Sequence, residues 1–136
     1  MGNLDSLIWH SRFLDETPGD PVEDGNPRQV PGVCWSRVKP TETKDPILRL
    51  WSQEMAERLG LSDADSAVLG GSGIVAGMDP YAQRYGGHQF GNWAHQLGDG
   101  RAITLGEAQL PNEFLELQLK GAGRTPYSRF ADGKAV

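Results

Sequence analysis

The sequence predicts an α+β fold in which short helices come first and an antiparallel sheet follows. Three observations carry that reading: apolar residues recur at helical spacing only before residue 70, they alternate or cluster in short runs from His88 onward, and glycine-rich turns separate the later runs. At 136 residues the chain has room for one domain with a modest core.

Residues 1–44 hold most of the prolines (Pro18, Pro21, Pro27, Pro31, Pro40) and no sustained period, so an extended arm laid over a body is expected. Leu7, Ile8, Trp9, Phe13 and Leu14 are apolar enough to dock it, and VCWSRV at 33–38 reads as a short strand. A helical segment is expected over 45–79. Asp45-Pro46 opens it with a capping side chain and a proline suited to the first turn, and Ile47, Leu50, Trp51, Met55 and Leu59 form a stripe that ends at Gly60. Ser62, Asp63 and Asp65 start a second short helix through Ala67, Val68 and Leu69, closed by Gly70-Gly71. The GSGIVAG run from Gly71 is similar to a dinucleotide fingerprint but is one residue too long between its glycines, and MDP follows where a helix should run, so it reads as a loop.

Over 80–136 the strands AITL (102–105) and FLELQL (114–119) are joined by a loop holding Pro111 and Asn112. In the second run Leu115, Leu117 and Leu119 face one way. Glu116, Gln118 and Lys120 face the other, which puts Lys120 on the polar side.

Thirteen Lys and Arg stand against 18 Asp and Glu, a net charge of -5, so neither nucleic acid nor membrane is an expected partner. The final 17 residues carry +3, from Lys120, Arg124, Arg129 and Lys134 against Asp132, which favours one bound anion over a long polyanion. The single Cys34 excludes an internal disulfide, and the N-terminus lacks the pattern of a secretory or transit signal. A cytoplasmic setting is the expectation.

The turn QLGDGR at 96–101 lies between two strand candidates. Its glycines let backbone N–H groups approach an anion, and Arg101 adds a planar fork for phosphate oxygens. The same Asp-Gly pair is also the commonest hairpin signal, and the two readings are compatible. Strand, glycine turn, strand, connection, then a strand ending in a lysine is the order found in a protein-kinase small lobe, where the lysine binds nucleotide phosphates. His88 and His95 lack metal-ligand spacing and read as packed or hydrogen-bonded side chains. Trp9, Trp35, Trp51 and Trp93 read as anchors of the core and of contacts between segments. No catalytic triad, carboxylate pair or metal-ligand set stands out.

The stretches VLGGSGIVAGMDPYAQRYGG, HQFGNWAHQLGDGRAITLGE and ELQLKGAGRTPYSRFADGKAV resemble the selenoprotein O family, also called YdiU, most specifically over 80–136. The resemblance implies a kinase-like (pseudokinase) fold that transfers AMP from ATP, bound with Mg2+ or Mn2+, to Ser, Thr or Tyr hydroxyls of proteins. It implies an ATP orientation flipped relative to a kinase. Carried over by motif, the nucleotide contacts fall on Gly98, Gly100, Arg101 and Lys120, with a further pair at Asp132 and Gly133. The family's catalytic aspartate, two further phosphate-contacting arginines and the metal-holding Asn and Asp belong to motifs later than these. The expectation is therefore an arm over 1–44, a helical segment over 45–79 and a partial kinase-like nucleotide-binding lobe over 80–136. The large lobe would be absent, leaving the chain alone catalytically inactive and marginally stable. The alternative is a nucleotide-free interaction module built on the same lobe.

Overall fold

The computed structural model describes residues 2–130 and 132–135. The chain is a small α+β unit. In order it has β1 (Ile8–His10), α1 (Arg12–Glu16), β2 (Trp35–Arg37), α2 (Gln53–Leu59), α3 (Ser66–Leu69), β3 (Tyr81–Gln83), β4 (Gly86–Gln89), β5 (Asn92–Gln96), β6 (Ala102–Gln109) and β7 (Phe114–Lys120). Every helix precedes residue 70 and every long strand follows residue 100, which is the order that the change of period predicts. No helix among the described residues is long and apolar enough to cross a membrane.

Two antiparallel sheets form. In the larger, β7 runs along one side of β6, while β3 pairs at Thr104 and β1 pairs from Glu107 to Gln109; β2 extends the sheet from β3. The smaller sheet is the β4–β5 hairpin alone. Ladder register shifts between Thr104 and Gly106, a bulge that bends β6. Leu105 and Ala108 pack with Leu4, Trp9, Ala56, Leu59 and Val68, whereas Ile103 packs with Val30, Val38, Ala82 and Tyr127. β6 is thus enclosed by two clusters, and seven of its eight residues are buried. β7 alternates as expected, with Leu115, Leu117 and Leu119 turned to the core and Glu116, Gln118 and Lys120 exposed.

Two expectations are corrected. The arm does not merely lie over a body: it contributes β1 and β2 to the main sheet, is held to β6 by the Arg12–Glu107 ion pair, and reaches the smaller sheet through Val30 N–H to Gln96 Oε1 (2.8 Å). The helix expected from Asp45 begins only at Gln53, capped by Ser52, whose side chain accepts from Met55 N–H at 3.2 Å. Asp45 is in left-handed backbone (φ 48°), and Ile47, Leu48 and Leu50 are exposed. A helix of this length is held by the packing of its apolar face, and this stripe has no surface to pack on, so the propensity of 45–52 is not realised. The second helix forms through Ala67, Val68 and Leu69 as expected but begins at Ser66, capped by the Asp65 side chain, and not at Ser62.

Candidate functional site

The turn at 97–101 connects β5 to β6, yet those two strands do not pair. The hairpin reading of Asp99-Gly100 is therefore wrong. The hairpin turn is Phe90-Gly91, both residues at positive φ (51° and 79°), the backbone that a two-residue turn with the right twist needs. The 97–101 turn is held instead against the end of β3: Leu97 N–H donates to Tyr85 O (2.8 Å), Asp99 N–H donates to Gln83 O (2.9 Å), and Gln83 N–H donates back to Asp99 Oδ2 (3.1 Å).

Gly98 is required at its position. Its φ of 122° is open to few other residues, and a Cβ there would lie 2.7 Å from Gln83 O and 2.7 Å from Tyr127 Cγ. Three consecutive carbonyls of the turn are occupied, Asp99 O by the Thr125 hydroxyl (2.5 Å), Gly100 O by the Ser128 hydroxyl and Arg101 O by Gly121 N–H (2.6 Å). The N–H groups of Gly98, Gly100 and Arg101 have no acceptor among the described residues. Free amides beside bonded carbonyls present a partial positive charge, which is what an anion recognises.

Lys120 closes the arrangement. It pairs across the ladder with Ala102, so the end of β7 lies beside the start of β6. Gly98, Gly100, Arg101 and Lys120 line one open cavity of about 350 Å³, together with Asp99, Tyr85, Tyr127 and Arg129. Three cations thus face one carboxylate, and that carboxylate is weakened: burial pushes the Asp99 carboxyl above its usual range, opposed by the Gln83 N–H, the Tyr85 hydroxyl and the Lys120 charge. Burial likewise raises the Tyr127 phenol, so this wall of the cavity stays uncharged at neutral pH. A larger cavity of about 620 Å³ lies beside Arg37 and Asp79, and none of the residues expected to bind nucleotide lines it.

Asp132 and Gly133 do not line the anion cavity. Gly133 O accepts from Gly123 N–H (3.0 Å), and Asp132 Oδ1 accepts from Lys134 N–H (2.9 Å), which folds this segment back on the 121–123 loop. Asp99, Tyr85 and Tyr127 were not singled out by sequence. Asp99 sits between two chosen glycines, where its turn propensity masked its role as a tie to β3. Nor are His88 and His95 packed; both are exposed on the hairpin. Of the tryptophans, Trp9 and Trp35 are core residues, while Trp51 and Trp93 are exposed.

The described residues hold no group of three His, Cys, Asp or Glu that could bind a metal, and Asp99 is committed to β3.

Residues 28–136 match the sequence model of the family described as protein adenylyltransferase SelO. The chain is 53% identical to the protein nucleotidyltransferase YdiU of Aromatoleum aromaticum over 98% of its own length and 28% of that relative's. It is 55% identical to the YdiU protein of Methylobacillus flagellatus, over 96% of this chain and 26% of the relative, and 53% identical to that of Nitrosospira multiformis, over 100% and 25%. The chain thus spans about a quarter of the length of the curated relatives it matches.

Proposed function

The chain belongs to the family described as protein adenylyltransferase SelO, and from that premise we propose that it supplies the nucleotide-binding part of an enzyme that moves AMP from ATP to Ser, Thr or Tyr hydroxyls of proteins. The antiparallel β6–β7 pair, the preceding glycine turn and Lys120 correspond to a kinase-like small lobe. The observation that carries the reading is the 97–101 turn, whose free amides share one cavity with Arg101 and Lys120. In the reaction an acceptor oxygen bonds to the α-phosphorus and pyrophosphate departs; the turn and the two cations would hold phosphate oxygens and stabilise the charge that accumulates on them. Asp132 and Gly133 remain nucleotide contacts in this proposal on the strength of the family resemblance alone. Mg2+ or Mn2+ would arrive with the ATP, and a reducing, cytoplasmic setting belongs to the same proposal.

The chain spans about a quarter of its relatives' length, and nucleotide binding without transfer is the activity this proposal assigns to these residues by themselves. Calorimetric titration with ATP and magnesium tests this, with Lys120→Ala as control. Binding in the wild type and at least tenfold weaker binding in Lys120→Ala, about 1.4 kcal/mol, is expected; AMP attached to a protein acceptor by this chain alone overturns the assignment of binding without transfer. A second reading has its own observation: the hairpin exposes Phe90 fully and Trp93 by 59%, as an interaction module would. It is favoured if Lys120→Ala leaves ATP titrations unchanged.

A further inference from the structure

The segment Thr125-Pro126-Tyr127-Ser128 lies against the anion turn, and its two hydroxyls donate to consecutive carbonyls of that turn. Thr125 is fully buried and Ser128 nearly so. The Thr125 hydroxyl oxygen accepts Tyr127 N–H at 3.1 Å, so its single proton is directed to Asp99 O at 2.5 Å. The Ser128 hydroxyl oxygen accepts Thr125 N–H at 3.0 Å, and its proton is directed to Gly100 O. Each hydroxyl thereby holds down one consecutive carbonyl of the turn. With those carbonyls turned toward 125–128, the amides of Gly100 and Arg101 are left for a ligand.

Tyr127 adds the wall. Its ring lies against Gly98, and its hydroxyl meets the Ser36 hydroxyl at 2.6 Å, which also donates to Asp20 Oδ2 at 2.6 Å. Asp20 is in turn paired with Arg28. A buried polar chain therefore runs from the N-terminal segment to the anion turn.

We infer that Thr125 and Ser128 are positioning residues of the nucleotide site: they touch no substrate, and they act by fixing the carbonyls of Asp99 and Gly100 so that the neighbouring amides face the bound phosphate. The inference rests on the nucleotide reading above, and the test separates the two. Backbone amide NMR spectra of the chain would be recorded for wild type, Thr125→Val, Ser128→Ala and Thr125→Ser, first without ligand and then with ATP and magnesium. In the ligand-free spectra Thr125→Val and Ser128→Ala should shift the Gly98, Gly100 and Arg101 amides, and Thr125→Ser, which keeps the hydroxyl, should restore them. ATP affinity should fall about tenfold in the first two and return in the third, the effect of one lost buried hydrogen bond. Unmoved turn amides, or wild-type affinity in both hydroxyl-deleted variants, overturns the inference. Turn amides that move in the variants while wild type binds no ATP overturn the nucleotide reading and leave the positioning role standing. Should Thr125→Val not fold, Ser128→Ala set against wild type gives the same readouts.

Discussion

β5 and β6 are separated only by the 97–101 turn, yet β6 is buried along seven of its eight residues while β5 exposes Asn92, Trp93 and His95. β6 has three partner strands and a cluster on each side; β5 has one partner, and none of the three buried clusters takes a residue from the hairpin. The difference shows where stability and adaptability are divided. A two-stranded ribbon without a core is the part of a fold that opens at least cost. The anion turn belongs to the other half, since its bonds go to β3 and to 125–128. Its amides are therefore arranged before a ligand arrives, and little ordering cost is left for binding.

The contrast is broken or sharpened most strongly by truncating one side chain in each half. Leu105→Ala, in a position with no solvent exposure, should cost about 2–5 kcal/mol in a denaturant melt, whereas Trp93→Ala should change stability by less than about 0.5 kcal/mol. Similar losses from both would show that the hairpin belongs to the cooperative core. Gly98→Ala comes next, at about 1–3 kcal/mol, because its backbone is in a region that favours glycine and its Cβ meets the Gln83 carbonyl. That variant should also lose ATP binding while β4–β5 amide resonances stay in place; retained binding would show that the turn adapts as the hairpin does.

The smallest effect concerns Tyr81 in the buried half. Its hydroxyl lies beside Thr104 and Gln83 but has no partner in hydrogen-bonding geometry, and burial pushes the phenol up to about 12. Tyr81→Phe should therefore raise stability by about 1 kcal/mol at neutral pH. The sign with pH follows from linkage. The unfolded phenol ionises near 10 while the folded one stays protonated to about 12, so this group's contribution is complete below pH 10 and is lost as pH rises from 10 to 12. Melts across that range should show a shallower alkaline loss in Tyr81→Phe than in wild type. Equal slopes would place the alkaline sensitivity elsewhere, with the Tyr127 and Tyr85 phenols, both raised by burial, as the remaining candidates.

How much was legible follows from the range of each interaction. β7 was readable because alternation reports a one-sided strand directly, and Lys120 fell on the exposed side as its parity requires. The helix at 45–52 was misread because capping and spacing are local signals, while its realisation depends on a surface for Ile47 and Leu50 that the fold does not provide. The β4–β5 turn was overlooked because Asp99-Gly100 carries the stronger hairpin signature, and Phe90 is an unusual residue for positive φ.

By itself the sequence determined the order of helices and strands, the polar face of β7, the clustering of glycines and cations from which an anionic ligand is proposed, and the family. Those properties live in neighbouring residues or in a motif read along one chain. Only the tertiary structure decided that the 97–101 turn bonds to the end of β3 while β5 and β6 stay unpaired, that Asp132 and Gly133 lie outside the cavity, and that the Thr125 and Ser128 hydroxyls reach the carbonyls of Asp99 and Gly100. Such contacts join residues 16 to 28 positions apart through single hydrogen bonds, and no period or local propensity records which buried hydroxyl will reach which carbonyl.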